Sequence, residues 1–230
     1  MNTSNYKIIR YTDLPQGGFA GIVEKQMVVS EKLSPNVLYN KNISHGFSDF
    51  IYLSKGHFKA NDGAPLHPHN NVDIVTLVLS GSISHTGTLG DGTIVYSSQV
   101  QVQRSGTGMK HSEVNSEDTP AEFVQIWFLP PVQNLKPAYQ NIDIKKVGLT
   151  EVLGSGIDCF ENVMTCKIGN VLRNEVIQTK EETVILITKG EALIDSIKLG
   201  VGDLIQGTDL YVTACGDIEI ILINETKNTK

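Results

Sequence analysis

No stretch of this chain longer than about ten residues carries a sustained apolar stripe at i, i+3, i+4 and i+7, the spacing a helix needs. The apolar residues fall instead into short β-branched and aromatic runs broken by Gly, Asn, Asp and Ser: "DIVTLVLSG", "GTIVYSS", "AEFVQIWFLPP", "ETVILITKG" and "DIEIILINE". Such runs suit a pleated, half-buried surface. Many of them at regular spacing predict an all-β chain of sandwich or barrel type with few, short helices. Asp91-Gly92 in "GTLGDGTIVY" predicts a hairpin turn, because Gly takes a positive φ without a steric penalty.

The pattern is repeated. "TLVLSGSISH" (76–85) and "ILITKGEALID" (185–195) share an apolar run, a turn ending in Gly and a second run, and Gly81 and Gly190 lie about half a chain apart. "KLGVGDLIQG" extends the second copy. Repetition on this scale predicts two antiparallel barrels from an internal duplication. The proline-bearing "LPPVQNLKPAYQN" between the copies reads as a linker, which sets the expected domains at 1–132 and 133–230. At 230 residues, each has enough chain for a core.

Several function classes are disfavoured by composition. The formal charge is −6 and the Lys and Arg residues are scattered, so the basic stripe that a phosphate backbone requires is missing. No run approaches the ~18 apolar residues of a membrane span, and "MNTSNYKIIRYTDLP" has no apolar leader core, so a cytoplasmic location is expected. Cys159, Cys166 and Cys215 are read as reduced, buried thiols rather than a disulfide framework or a zinc site. The tail "NETKNTK" is expected to fray, and Trp127, in an alternating strand, is expected in the core.

All six histidines, at 45, 57, 67, 69, 85 and 111, lie in the first half. In "HPH" an extended strand points His67 and His69 to one side, about 6.6 Å apart along the strand. "HSE" repeats the i, i+2 spacing with His111 and Glu113. Pairing of the two segments would bring three imidazoles and one carboxylate to a single ion, leaving positions open for water, substrate or dioxygen. Fe(II), Mn, Ni, Cu or Zn would suit that set. Asp73 shares parity with the His pair and competes with Glu113 as the carboxylate; its plain alternative is a turn carboxylate bonded to nearby backbone.

"HPH", the apolar strand ending in Gly81, "SISHTGTLGDG", "SGTGMKHSEVN", "VQIWFLPP" and "LKPAYQ" together resemble the pirin family of the cupin superfamily, most clearly from Gly63 to Gln140. The resemblance is to short bacterial members described as quercetin 2,3-dioxygenases. It implies a bicupin with one metal, in the N-terminal barrel only, held by His67, His69, His111 and Glu113, with Asp73 disfavoured. His85 recurs in the pattern and is expected either beside the ligands or in a strand-end structural role. The family's residues before the ligand loop are replaced by Ser97, Ser98 and Gln99, and Val102, Gln103 and Arg104 follow; Asn70 and Asn71 depart from the pattern beside the His pair. Where these reach the pocket, they would make it more polar.

The activity implied is that of a metal-dependent dioxygenase, with Fe(II) foremost, opening a flavonol or similar enolic aromatic with O2, and Glu113 as catalytic base. Asp73, His85 and Gln103 are the outlying candidates for substrate or supporting contacts. The partners expected are a small aromatic substrate and O2, with no nucleic acid and no membrane, in a monomer or weak dimer. The resemblance also implies a second reading, a metal-binding redox sensor or protein-binding regulator without turnover. A third is a cupin that isomerises or binds a small molecule with Zn or Mn.

Overall fold

The computed structural model describes residues 5–226. Among them helix is confined to two 3-10 turns, Tyr11–Asp13 and Pro35–Tyr39. Strand composition sets strand position. Asp73–Ser80, apolar on both faces, lies inside a sheet between Gln99–Arg104 and Ala121–Phe128, with Ile74, Val75, Leu77 and Val78 buried. Asp62–His69, with two prolines and a half-exposed pattern, is an edge strand, where a missing N–H is tolerated.

The chain divides into two compact units. One comprises residues 14–143 and 157–161; the other comprises the described residues up to Asp13, then 144–156, then 162 onward. In the first, a seven-stranded sheet runs in the order Ala138–Asp143, Gln99–Arg104, Asp73–Ser80, Ala121–Phe128, Phe50–Phe58, Ile22–Val29, Gly17–Phe19. Its companion is a four-stranded sheet, Asp62–His69, Met109–Asn115, Ser82–Gly87, Thr93–Tyr96. In the second unit a six-stranded sheet runs Tyr6–Ile9, Leu204–Gly207, Thr183–Lys189, Ile218–Glu225, Met164–Val171, Gly148–Leu153. Its four-stranded companion is Val176–Gln178, Tyr211–Ala214, Ala192–Ile194, Ile197–Leu199. Neighbouring strands are antiparallel throughout, in an order that fits jelly-roll sheets, and within each unit the two sheets remain separate rather than closing into one hydrogen-bonded barrel.

The duplication is visible in the turns. Gly81 (φ +74) and Gly190 (φ +81) each end a central strand of the large sheet and begin the first of the small sheet's hairpin strands, in the left-handed region that favours glycine. The Asp91-Gly92 turn joins Ser82–Gly87 to Thr93–Tyr96, with Gly92 at φ +75.

The units do not separate at Val132. The proline-bearing segment ends in Ala138–Asp143, which pairs with Gln99–Arg104 of the first unit, and Tyr6–Ile9 pairs with Leu204–Gly207 of the second. Prolines mark where the chain leaves a sheet, but they carry no information about the strand that follows.

The two interiors differ. Aliphatic side chains fill the second, including Ile177, Ile185, Ile194, Leu210, Val212 and Ile220. The first has an apolar cluster of Phe58, Val78, Ile83, Val95, Ala121 and Phe123, and elsewhere it buries His85, Gln101, Gln103, His111 and Glu113. Cys166 is buried as expected, but Cys159 is exposed and Cys215 is partly so; none is paired. Among the described residues no helix is long and apolar enough to cross a membrane. Of the "NETKNTK" tail, Asn224 and Glu225 complete a strand, and 227–230 lie outside the described residues.

Candidate metal centre

Met109–Asn115 is the inner strand on which the site is built. His111 stands directly opposite His67, and Met109 opposite His69. The register slips between His111 and Glu113, so Glu113 faces Ala64 and the partner strand bulges around Pro65 and Leu66. On its other side Met109–Asn115 pairs with Ser82–Gly87, which sets Glu113 opposite His85 and His111 opposite Gly87. A Cβ at Gly87 would lie 2.2 Å from the Lys110 carbonyl and 2.8 Å from the His111 Cα, so only glycine permits this approach.

Three imidazoles converge as a result. Ring centroids are 4.9 Å apart for His67 and His69, 4.5 Å for His67 and His111, and 4.9 Å for His69 and His111. His67 Nδ1 lies 2.7 Å from the Pro65 carbonyl, which can only accept, so this nitrogen carries a proton and Nε2 is the nitrogen that holds the lone pair in the neutral ring. That lone pair lies 3.0 Å from His111 Nε2. Burial, then the neighbouring His111 and His67, lower the His69 pKa to about 3. His111 is likewise lowered to about 3 by burial, His67 and His85. Neutral imidazoles are the form that binds a metal.

Glu113 belongs to a second, overlapping group. Ligand atoms of His67, His69 and His111 lie within 4.8 Å of one another, and so do those of His85, His111 and Glu113, with His111 common to both. His111 thus links the His67–His69 pair to a second group in which Glu113 stands with His85. The His85 ring nitrogen Nε2 donates to the Leu89 carbonyl at 2.8 Å, which leaves its buried Nδ1 as an acceptor without a partner. Glu113 Oε1 accepts from Gln101 Nε2 at 2.8 Å and Oε2 accepts a longer bond, 3.4 Å, from Gln125 Nε2. Burial raises the Glu113 pKa against the lowering effect of the histidines and the two amides. This donor set of neutral nitrogens with one carboxylate fits a divalent transition metal, and the preset His67 tautomer and the unpartnered nitrogens fit it as well.

Asp73 is not part of this site. Its fully buried carboxylate is gripped by Arg104 in a two-pronged ion pair, Nε to Oδ1 at 2.8 Å and Nη2 to Oδ2 at 2.6 Å, and Arg104 also donates to the Glu161 carbonyl. Shared parity with the His pair is cancelled by a turn at Asn71 (φ +50), which moves Asp73 into the other sheet. Gln103 lies inside, alternate with Gln101 and opposite Tyr139, with both amide atoms buried and without partners. Ser98 (φ +69) and Gln99 form a tight turn in which the Gln99 amide bonds Tyr96 and Asp143. Neither they nor Asn70 and Asn71 line the cavity, so these departures do not make it polar.

The cavity beside the imidazoles encloses about 310 Å³. It is lined by His67, His69, Glu113, Gln125 and Trp127 and, on the next two strands outward along the large sheet, by Tyr52 and then Glu24. Trp127 is therefore wall rather than core: it alternates with Gln125, its ring is 5.5 Å from that of His69 and 4.8 Å from that of Tyr52, and its Nε1 donates to Gln125 Oε1 at 3.0 Å. Tyr139 Oη donates to Gln101 Oε1 at 2.9 Å. Gln101, Gln125, Tyr139 and Glu24 were not singled out from the sequence. Gln125 and Tyr139 do fall in the Gln-x-Trp and Pro-x-Tyr segments that carry the resemblance, but nothing there marks them as facing the site.

The pirin family model matches residues 30–128, which contain every expected ligand and extend well upstream of Gly63. Over these residues the chain is similar to the pirin family. Among its relatives, a quercetin 2,3-dioxygenase of Escherichia coli O157:H7 is 26% identical over 192 residues, covering 78% of this chain and 83% of that protein. The crystal structure of YhhW from Escherichia coli superposes with a TM-score of 0.80 at 22% identity, covering 96% of this chain and 97% of that one. The bacterial pirin YhhW in complex with nickel(II) gives a TM-score of 0.82 at 21% identity, covering 96% and 99%. At such identity these two structures establish the pirin fold for this chain.

Proposed function

We propose that this protein is a metal-dependent dioxygenase of quercetinase type, with His67, His69, His111 and Glu113 holding one transition metal, which we assign as iron(II). The observation that carries the reading is that His67, His69 and the buried Glu113 line a cavity of about 310 Å³, within the size range of small-molecule sites, while His111 lies within ligand distance of the two histidines and of the carboxylate. The name of the Escherichia coli relative and the nickel(II) of the YhhW complex support a metal and a flavonol. Bound there, the metal supplies Lewis acidity and the redox chemistry that dioxygen requires.

The chain's own groups have separable tasks. Glu113 Oε2, the more loosely held oxygen, takes the proton of the substrate's enolic hydroxyl, while Gln101 fixes Oε1. Burial keeps Glu113 a stronger base than an exposed carboxylate. Phe19, Tyr52 and Trp127 offer aromatic walls to a planar ring system. The ring opens with uptake of O2 and loss of carbon monoxide. The test is to incubate iron-loaded and metal-free protein with quercetin and follow oxygen consumption and loss of the flavonol absorbance. Loss no faster with iron than without, over several flavonols, overturns the reading.

A further inference from the structure

The cavity carries a second carboxylate that the chemistry above does not use. Ile22, Glu24 and Gln26 are alternate residues of the Ile22–Val29 strand, and all three line the cavity. Glu24 Oε1 accepts from the Tyr52 hydroxyl at 2.7 Å and from Gln26 Nε2 at 3.4 Å, while Oε2 makes no hydrogen bond among the described residues. Burial and the charge of Glu24 raise the Tyr52 pKa, so the phenol stays protonated and remains the donor. Glu24 is thus held from one side and presents its second oxygen elsewhere. Its strand lies two places along the sheet from the strand of Gln125 and Trp127, about 10 Å away at the usual strand spacing. Among the described residues no Lys or Arg lines the cavity, so a carboxylate at each end meets no neutralising cation there.

We propose that Glu24 is a specificity-determining residue, whose Oε2 accepts hydrogen bonds from hydroxyl donors on the end of the substrate remote from the histidines. The ligand class this selects is a planar aromatic with phenolic donors at its outer end. Ligands with an anion there are rejected, because the outer wall has only a like charge to offer. A site built around a hydrogen-bonding group discriminates strongly against ligands that lack the complement, since the group is then left partly desolvated without a partner. The inference rests on the flavonol reading for which end of the ligand faces the metal.

Trp127 is the sole tryptophan of the chain and lines the cavity, so its fluorescence reports occupancy without any turnover. The experiment titrates metal-loaded wild type and Glu24→Gln anaerobically with quercetin, kaempferol and galangin, which carry two, one and no hydroxyls on the outer ring, and with a flavonol sulfated on that ring. Wild type is expected to bind quercetin about tenfold more tightly than galangin, as one charge-assisted hydrogen bond provides. In Glu24→Gln that ratio collapses towards one, galangin affinity is unchanged and the sulfated ligand gains. An unchanged quercetin-to-galangin ratio in the variant, or equal weakening of all the ligands, overturns the role of Glu24 while leaving the flavonol reading intact. Absence of Trp127 quenching by any flavonol in wild type overturns both.

Discussion

The Tyr139 hydroxyl donates to Gln101 Oε1 at 2.9 Å, and this bond decides how the Gln101 amide meets Glu113. With its oxygen engaged by a donor, the amide must turn its nitrogen to the carboxylate, where Nε2 lies 2.8 Å from Oε1. Tyr139 is thereby a positioning residue two bonds removed from the proposed metal. Tyr139→Phe keeps the ring packed 4.9 Å from His85 but lets the amide flip. Metal affinity should fall about tenfold, as for other supporting partners of ligands, with an unchanged circular dichroism spectrum. Competition against a chromogenic chelator measures this, and wild-type affinity would refute it.

The ligand pair itself gives a sharper outcome. His67→Ala/His69→Ala should purify without stoichiometric metal after loading with iron(II) or nickel(II), yet fold, because both side chains are only half-buried and the strand keeps its backbone pairing. Elemental analysis beside wild type is the measurement. Equal metal content in both proteins would remove the proposed centre.

Acid should expose the cost of keeping these rings neutral. In metal-free protein the pKa of His69 is about 3, against the ordinary 6.5 in the unfolded chain. As pH falls through 6.5 the unfolded state binds a proton that the native state does not, so stability drains away between about pH 6.5 and 3. His69→Gln lacks that group and should lose less over the same window. Glu113, whose pKa burial raises, acts in the opposite direction but equally in both proteins. Thermal midpoints of the two metal-free proteins at several pH values decide it: a constant difference from pH 7.5 to 4.5 would contradict the assignment.

Arg104 and Asp73 form a buried ionic pair, and its role is structural. Arg104→Met leaves the Asp73 carboxylate without its two charge-assisted bonds in a site of no solvent access. Breaking such a pair from one side costs about 3–5 kcal/mol. Urea unfolding should show a loss of that order, with metal content per folded protein unchanged. A metal-deficient but equally stable variant would place the pair in the site after all.

What could be read from the sequence, and what could not, follows from the range of each signal. Strand alternation is local, so the shared direction of His67 and His69 is legible, and both lie in one cluster with His111, which also stands in the cluster of Glu113 and His85. Parity fails across any turn, which is why Asp73 looked equivalent to the histidines although Asn71 carries it into another sheet. Trp127 was misjudged because a half-buried strand face reads alike whether it meets core or cavity. Glu24 and Tyr139 reach the site from distant strands, and no spacing rule links them to it. Their directions depend on sheet order, which a single sequence does not encode locally.

Tyr6–Ile9 pairs with Leu204–Gly207, with almost the whole chain between them. During synthesis the first of these strands waits without its partner until the strands of the histidine-bearing unit have been made. The aliphatic unit is then the late, slow one, governed by the entropy of closing so long a loop. In that interval the unpartnered Tyr6–Ile9 is the segment of the nascent chain most exposed to pairing with the wrong strand.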